Sequence, residues 1–155
     1  MIIKIKPELI AYDERMQDFC KLPYPQHPNG CPNYGKKPGC PPNQKLISDV
    51  LNLDKDIYLI YTEFNVGKFA ERMKKKHPRW TEKQRYCCLY WQGKARKEHS
   101  EELEKVKKEY NIEVIKSPEA YGVNINVMMI KLGIKLEWPP RKITRIVSLG
   151  GYKRA

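Results

Sequence analysis

The chain is short of acids: 18 Asp and Glu stand against 30 Lys and Arg in 155 residues, a formal net charge of +12. That balance disfavours a cationic partner and suits a polyanion. No apolar run is long enough to span a bilayer, and the start, Met1-Ile-Ile-Lys-Ile-Lys6, lacks the pattern of a secretory signal. A cytoplasmic location with no membrane partner is therefore expected, where disulfides are rare. Five cysteines, an odd number, cannot all be paired in any case. The close Cys-x2-4-Cys pairs that mark structural zinc knuckles are missing. So are a Gly-rich phosphate loop, a Ser–His–Asp set and a paired-carboxylate signature. Without them the sequence identifies no reaction, and whether the protein is an enzyme stays open.

What the sequence does have is the stretch 20–42. It holds Cys20, Cys31 and Cys40, and seven of the 12 prolines, at 23, 25, 28, 32, 38, 41 and 42. Gly30, Gly35 and Gly39 fill much of the space between them. Proline removes backbone donors and glycine raises the cost of ordering the chain, so no helix or strand runs through. A loop of this length in a compact domain is usually functional or disordered. A metal shared by the three thiols would order it at three points. Two chemistries fit soft thiolate ligands. An iron–sulfur cluster, with 4Fe–4S favoured, tolerates the irregular gaps of ten and eight residues, and Cys31-Pro32 and Cys40-Pro41 echo the Cys-Pro of bacterial ferredoxins. Zinc is the alternative. Cys87, on the inner stripe of the long helix, is expected to complete the site, with Cys88, turned about 100° from it around the helix, outside; His27 is the other candidate, read as an exposed loop histidine. Three cysteines alone would leave an iron with an open position.

Residues Cys20, Cys31-Pro-Asn-Tyr-Gly-Lys36 and Cys40-Pro-Pro42, together with Pro118-Glu-Ala-Tyr-Gly122, resemble a domain-of-unknown-function family described as predicted metal-binding proteins. The resemblance implies metal binding at Cys20, Cys31 and Cys40, and no established reaction. A further cysteine cluster associated with such proteins has no counterpart here beyond Cys87 and Cys88.

The rest reads as a single α/β domain over 1–155. Residues 2–6 alternate as an edge strand, and Asn43 is placed to cap a short helix. Ile57–Glu63 is a nearly continuous β-favouring apolar run, as in a strand buried on both faces. Asn65 caps a helix ended by Pro78. Thr81-Glu-Lys-Gln84 has the capping-box pattern and opens one long helix over 81–110. Cys87, Trp91, Ala95, His99, Leu103, Val106 and Tyr110 form its inner stripe. Residues 112–115 make a short strand, and Ser117-Pro118 starts a helix that Gly133 ends. Residues 143–149 make a last strand closed by Gly150-Gly151. This alternation predicts a small, mostly parallel sheet of three or four strands flanked by helices, carrying the Pro/Gly-rich cysteine loop.

The charge is uneven. Residues 66–110 carry fourteen bases against seven acids, whereas residues 1–65 balance at eight and eight. Lys74, Lys75, Lys76, Arg79, Lys94, Arg96 and Lys97 are the candidate phosphate contacts, and aromatics interleave with bases from Arg85 to Lys97. RNA or a ribonucleoprotein is the expected partner. A Lys- and Glu-rich surface adapted to heat accounts for the same composition. Two readings follow: an iron–sulfur protein with a basic face for an acidic partner, or a non-catalytic RNA- or ribosome-binding protein with a structural zinc site.

Overall fold

The computed structural model describes residues 1–23, 27–38, 40–41 and 44–154. Asn43, expected to cap the first helix, lies outside the described residues, as do Gly39 and Pro42 of the cysteine motif.

Among the described residues, four strands form one sheet in the order β1-β2-β4-β3: β1 Ile2–Ile5, β2 Ile57–Asn65, β3 Glu113–Ile115 and β4 Ile143–Gly151. Every pairing is antiparallel. This corrects the expectation of a mostly parallel sheet. β2 and β3 do run in the same direction, as a strand–helix–strand alternation implies, because both are antiparallel to β4. They are not neighbours: β4 inserts between them and pairs with β2 along its length, from Ile57↔Gly151 to Asn65↔Ile143. The arrangement is a split β-α-β unit, in which sequence order sets direction and leaves adjacency open. The apolar run of β2 also misleads. Burial on both faces is typical of parallel sheets, and here an antiparallel sheet is covered on both sides.

Alternation along β2 divides the core. Ile57, Leu59 and Tyr61 pack with Ile47 and Leu51, from α1 (Ile47–Val50) and its C-cap, and with Ile125, Met128 and Met129 of α5 (Ile125–Lys131). On the opposite face, Ile60 packs with Leu103 and Val106 of α4 (Cys88–Tyr110). Phe64 packs there with Phe69 of α2 (Val66–Lys76) and with Trp91 and Ala95 of α4. Asn65 caps α2 as expected, its side chain accepting from Lys68 N–H at 2.8 Å.

The long helix expected over 81–110 is broken. The Thr81 capping box forms, but it starts only the single turn α3 (Glu82–Arg85). Cys87 is extended (φ −63°, ψ 123°) and becomes the N-cap of α4. The Trp91 indole N–H donates to the Tyr86 carbonyl at 3.2 Å, while its ring stacks on Phe64 at 5.7 Å. That bond occupies the carbonyl on which a continuous helix would have drawn. Beyond the break, Trp91, Ala95, His99, Leu103 and Val106 form the buried stripe.

Gly150 and Gly151 lie within β4 instead of closing it. A Cβ on Gly150 would stand 2.6 Å from Ile112 Cδ1, so the missing side chain is what lets Ile112 lie on the sheet. The helix expected from Ser117 is interrupted too. Residues Pro118–Tyr121 make a 3-10 turn ended by Gly122 at φ +83°, and Asn124 then caps α5 by accepting from Val127 N–H at 3.1 Å.

One polar cluster crosses the core. His99 is fully buried between α4, β2 and β4. Ser148 donates its hydroxyl proton to the Lys116 carbonyl at 2.6 Å, so at 2.7 Å His99 Nε2 is the donor to Ser148 Oγ. Nδ1 then accepts from Thr62 Oγ1 at 2.9 Å. The neutral Nε2–H tautomer satisfies all three side chains. Burial, followed by the positive charges of Lys116 and the N-terminus, pushes the imidazole down to about 4.

Candidate metal centre and basic face

Cys20 lies near the end of a 3-10 segment, Glu14–Lys21, that Asp13 caps by accepting from Arg15 N–H at 2.8 Å. This segment packs against the 118–121 turn. Asp13 N–H donates to Gly122 O at 2.8 Å, and Asn124 N–H to Ala11 O at 2.7 Å. A Cβ on Gly122 would stand 2.7 Å from the Asp13 carbonyl, so the approach requires glycine. Gln17 braces the arrangement: its Nε2 donates to the carbonyls of Gln44 and Ala120, each at 2.9 Å. One side chain thus joins the lead-in to the loop, the chain just after it, and the 118–121 turn. Sequence reasoning missed Gln17, because residues 8–18 show no usable periodicity.

The loop closes on itself through its backbone. Cys31 N–H donates to Cys20 O at 2.6 Å, bringing the first two cysteines together. Gly30 makes that contact possible. Its φ is +84°, and a Cβ there would fall 2.5 Å from Cys20 O. Tyr34 N–H donates to Cys31 O at 3.1 Å, Gly35 N–H to Pro41 O at 2.7 Å, and Cys40 N–H to Lys37 O at 3.1 Å. Pro41 is fully buried and Lys21 Nζ lies 5.1 Å from the centre of the Tyr34 ring. These backbone bonds tie the loop to itself at several points.

Cys20, Cys31 and Cys40 are all half-buried. Burial pushes the Cys20 thiol up, and the neighbouring Cys31 and Cys40, then Glu119, add to the rise. Three soft donors that bear on one another fit a thiophilic metal, whose positive charge would reverse the repulsion among thiolates. Among the described residues, however, no three Cys, His, Asp or Glu side chains stand together as a ready ligand set. His27 accepts the Gly30 N–H at its carbonyl, at 3.1 Å.

The helix break decides where the other two cysteines lie. Cys87 is the half-buried N-cap of α4, its N–H donating to Gln84 O at 3.2 Å. Its neighbours Tyr86 and Trp91 pack on the α2–α4 side of the sheet, whereas the loop is held by Ala11, Asp13 and the 118–122 segment. Cys88 is exposed and lines a cleft that Glu119 also lines.

All seven candidate phosphate contacts are exposed. None joins an ion pair among the described residues. Lys74, Lys75 and Lys76 form the C-terminal turn of α2, with Arg79 just beyond. Helical spacing puts Tyr90, Lys94 and Lys97 on one side of α4 and Cys88, Gln92 and Arg96 on another. Between the basic groups lies an aromatic stack: His77 on Trp80 at 4.3 Å and 11°, and Trp80 against Tyr90 at 4.6 Å. Tyr90 is half-exposed. Among the described residues, no helix is long and apolar enough to cross a membrane. No family model, no curated protein and no solved structure matches this chain.

Proposed function

We propose that this is a metal-binding protein of the cytoplasm, in which Cys20, Cys31 and Cys40 hold an iron–sulfur cluster, most simply of the 4Fe–4S type. The observation that carries the reading is the closure of the loop at Cys31 N–H to Cys20 O, which only glycine at position 30 permits and which brings the backbones of two of the three cysteines together. Bound there, the cluster would supply electron transfer or Lewis acidity, and three protein thiolates would leave one iron position for a further ligand. The chain's own part is to present the thiols on a backbone fixed by Gln17, Gly30 and Gly122. The resemblance to predicted metal-binding proteins agrees with this reading. Replacing Cys20, Cys31 and Cys40 by Ser, one at a time, in anaerobically prepared protein tests it. Each replacement should abolish or sharply lower metal retention while leaving the far-ultraviolet circular dichroism intact. Retention unchanged in any one would remove that residue from the site.

The unpaired cations and the aromatic stack favour RNA as the partner of the basic face. Aromatic rings interleaved with cations suit a single strand, with bases on the rings and phosphates on the lysines. Affinity for a single-stranded RNA should fall steeply between low and moderate salt as counterions are released, and replacing Lys74, Lys75 and Lys76 together should flatten that slope. Absence of binding at low salt would reduce the basic face to a solubility feature. A non-catalytic RNA- or ribosome-binding protein with structural zinc in the loop is the second reading, distinguished by colourless protein carrying zinc.

A further inference from the structure

β3 is only three residues long, and its pairing with β4 stops at Ile115↔Leu149. Beyond that point a cleft of about 520 Å³ opens beside the first half of β4, between α4 and the segment that carries Trp138. Its size is that of a small-molecule pocket. Its floor is apolar, with Ile125, Leu136 and Ile146 among the lining residues. Arg96 and Lys116 line it beside the carboxylate of Glu119, and Arg145 lines it with its charge paired to Glu63.

Arg145 is already engaged. Its guanidinium is fixed by Glu63 Oε2 at 3.0 Å and by the Lys135 carbonyl at 3.0 Å. Its Nε, which has no acceptor among the described residues, is buried away from the cleft. Trp138 is the informative residue. It lines the cleft and is 89 % exposed, the most exposed of the large hydrophobic side chains among the described residues. Glu137 holds its loop by accepting from the backbone N–H groups of Arg141 and Lys142, so the indole stands on a fixed turn. An exposed ring at the mouth of an apolar, cation-lined cleft matches a ligand with a flat face and an anionic end.

We propose that this cleft binds a small planar organic anion, with its flat part against Trp138 and its carboxylate or phosphate drawn to Arg96 and Lys116. The site does not depend on a metal in the cysteine loop, although Glu119 borders both. A ligand bound here would lie next to the exposed thiol of Cys88.

The test uses the full chain, with the three indole N–H signals assigned by nuclear magnetic resonance. The probes are adenosine 5′-monophosphate and indole-3-acetate, each paired with its neutral counterpart, adenosine and indole-3-acetamide. At least one anion should shift the Trp138 indole signal and bind about tenfold tighter than its neutral partner, as a charge-assisted contact requires. Which anion does so separates a phosphate ligand from a carboxylate. Arg96→Ala, an exposed helix position, should weaken that binding about tenfold with an unchanged melting temperature. Trp138→Ala should weaken it as well. The proposal is overturned if neither anion moves the Trp138 signal, if anion and neutral partner bind alike, or if both variants bind like the parent.

Discussion

Acid should loosen this protein through one histidine. His99 is fully buried and neutral, and its imidazole is held down to about 4 against an ordinary value of 6.5. Between those two values the unfolded chain takes up a proton that the folded chain refuses. Stability therefore stands in full above about pH 6.5, falls as the pH drops, and has lost the whole contribution below about pH 4. The slope approaches about 1.4 kcal/mol per pH unit, and the total is about 3 kcal/mol. This is a large share of the 5–15 kcal/mol that typically holds a domain together. Protonation would also place a second N–H against the Thr62 hydroxyl, which now donates to Nδ1. The assay is urea unfolding at a series of pH values from 4 to 8, for the parent and for His99→Gln, both at the same metal content. Gln keeps an N–H near the Ser148 hydroxyl and does not titrate. Carboxylates contribute equally to both proteins, so the difference curve isolates His99. It should rise by about 3 kcal/mol across the window. Parallel curves would show that His99 titrates normally and that the buried network is misread.

Three further outcomes follow from the loop and the core. Gly30→Ala must accept a left-handed backbone, at about 1–2 kcal/mol, and a clash with the Cys20 carbonyl besides; metal retention should fall before global stability does, and equal retention would show that the loop closes another way. Gln17→Leu strips the carbonyls of Gln44 and Ala120 of their donor, so it should lower stability by about 1–3 kcal/mol in thermal unfolding and speed amide exchange in the 118–121 turn, and a silent variant would contradict the bracing role. Cys87→Ser and Cys88→Ser should each leave metal retention unchanged, because the loop draws on Cys20, Cys31 and Cys40; loss with Cys87→Ser alone would make Cys87 a fourth ligand.

The parts of the fold with strong local signals were legible in the sequence. Asn65 and Thr81 cap where they should, and the three- and four-residue spacing from Trp91 to Val106 finds the buried stripe of α4. What escaped reading depends on contacts distant in sequence. The break at Cys87 follows from an indole reaching a carbonyl five residues back while stacked on Phe64 in another element. Placing β4 between β2 and β3 is a choice among pairings that strand order does not dictate. The same holds for the site. The cysteines, prolines and glycines of the loop declare themselves, and so does Pro118–Gly122. Gln17 and the cleft beside β4 do not, since each exists only where several separate segments meet.

The central claim is that the loop thiols hold a metal, and one preparation tests it. Protein purified without oxygen should be brown, with a broad absorption near 400 nm, and should contain iron and acid-labile sulfide in equal amounts, at about four of each per chain for a cluster of the 4Fe–4S type. Colourless protein with one zinc per chain would transfer the loop to structural zinc. Colourless protein with neither metal, and none taken up on anaerobic reconstitution with iron and sulfide, would contradict the account.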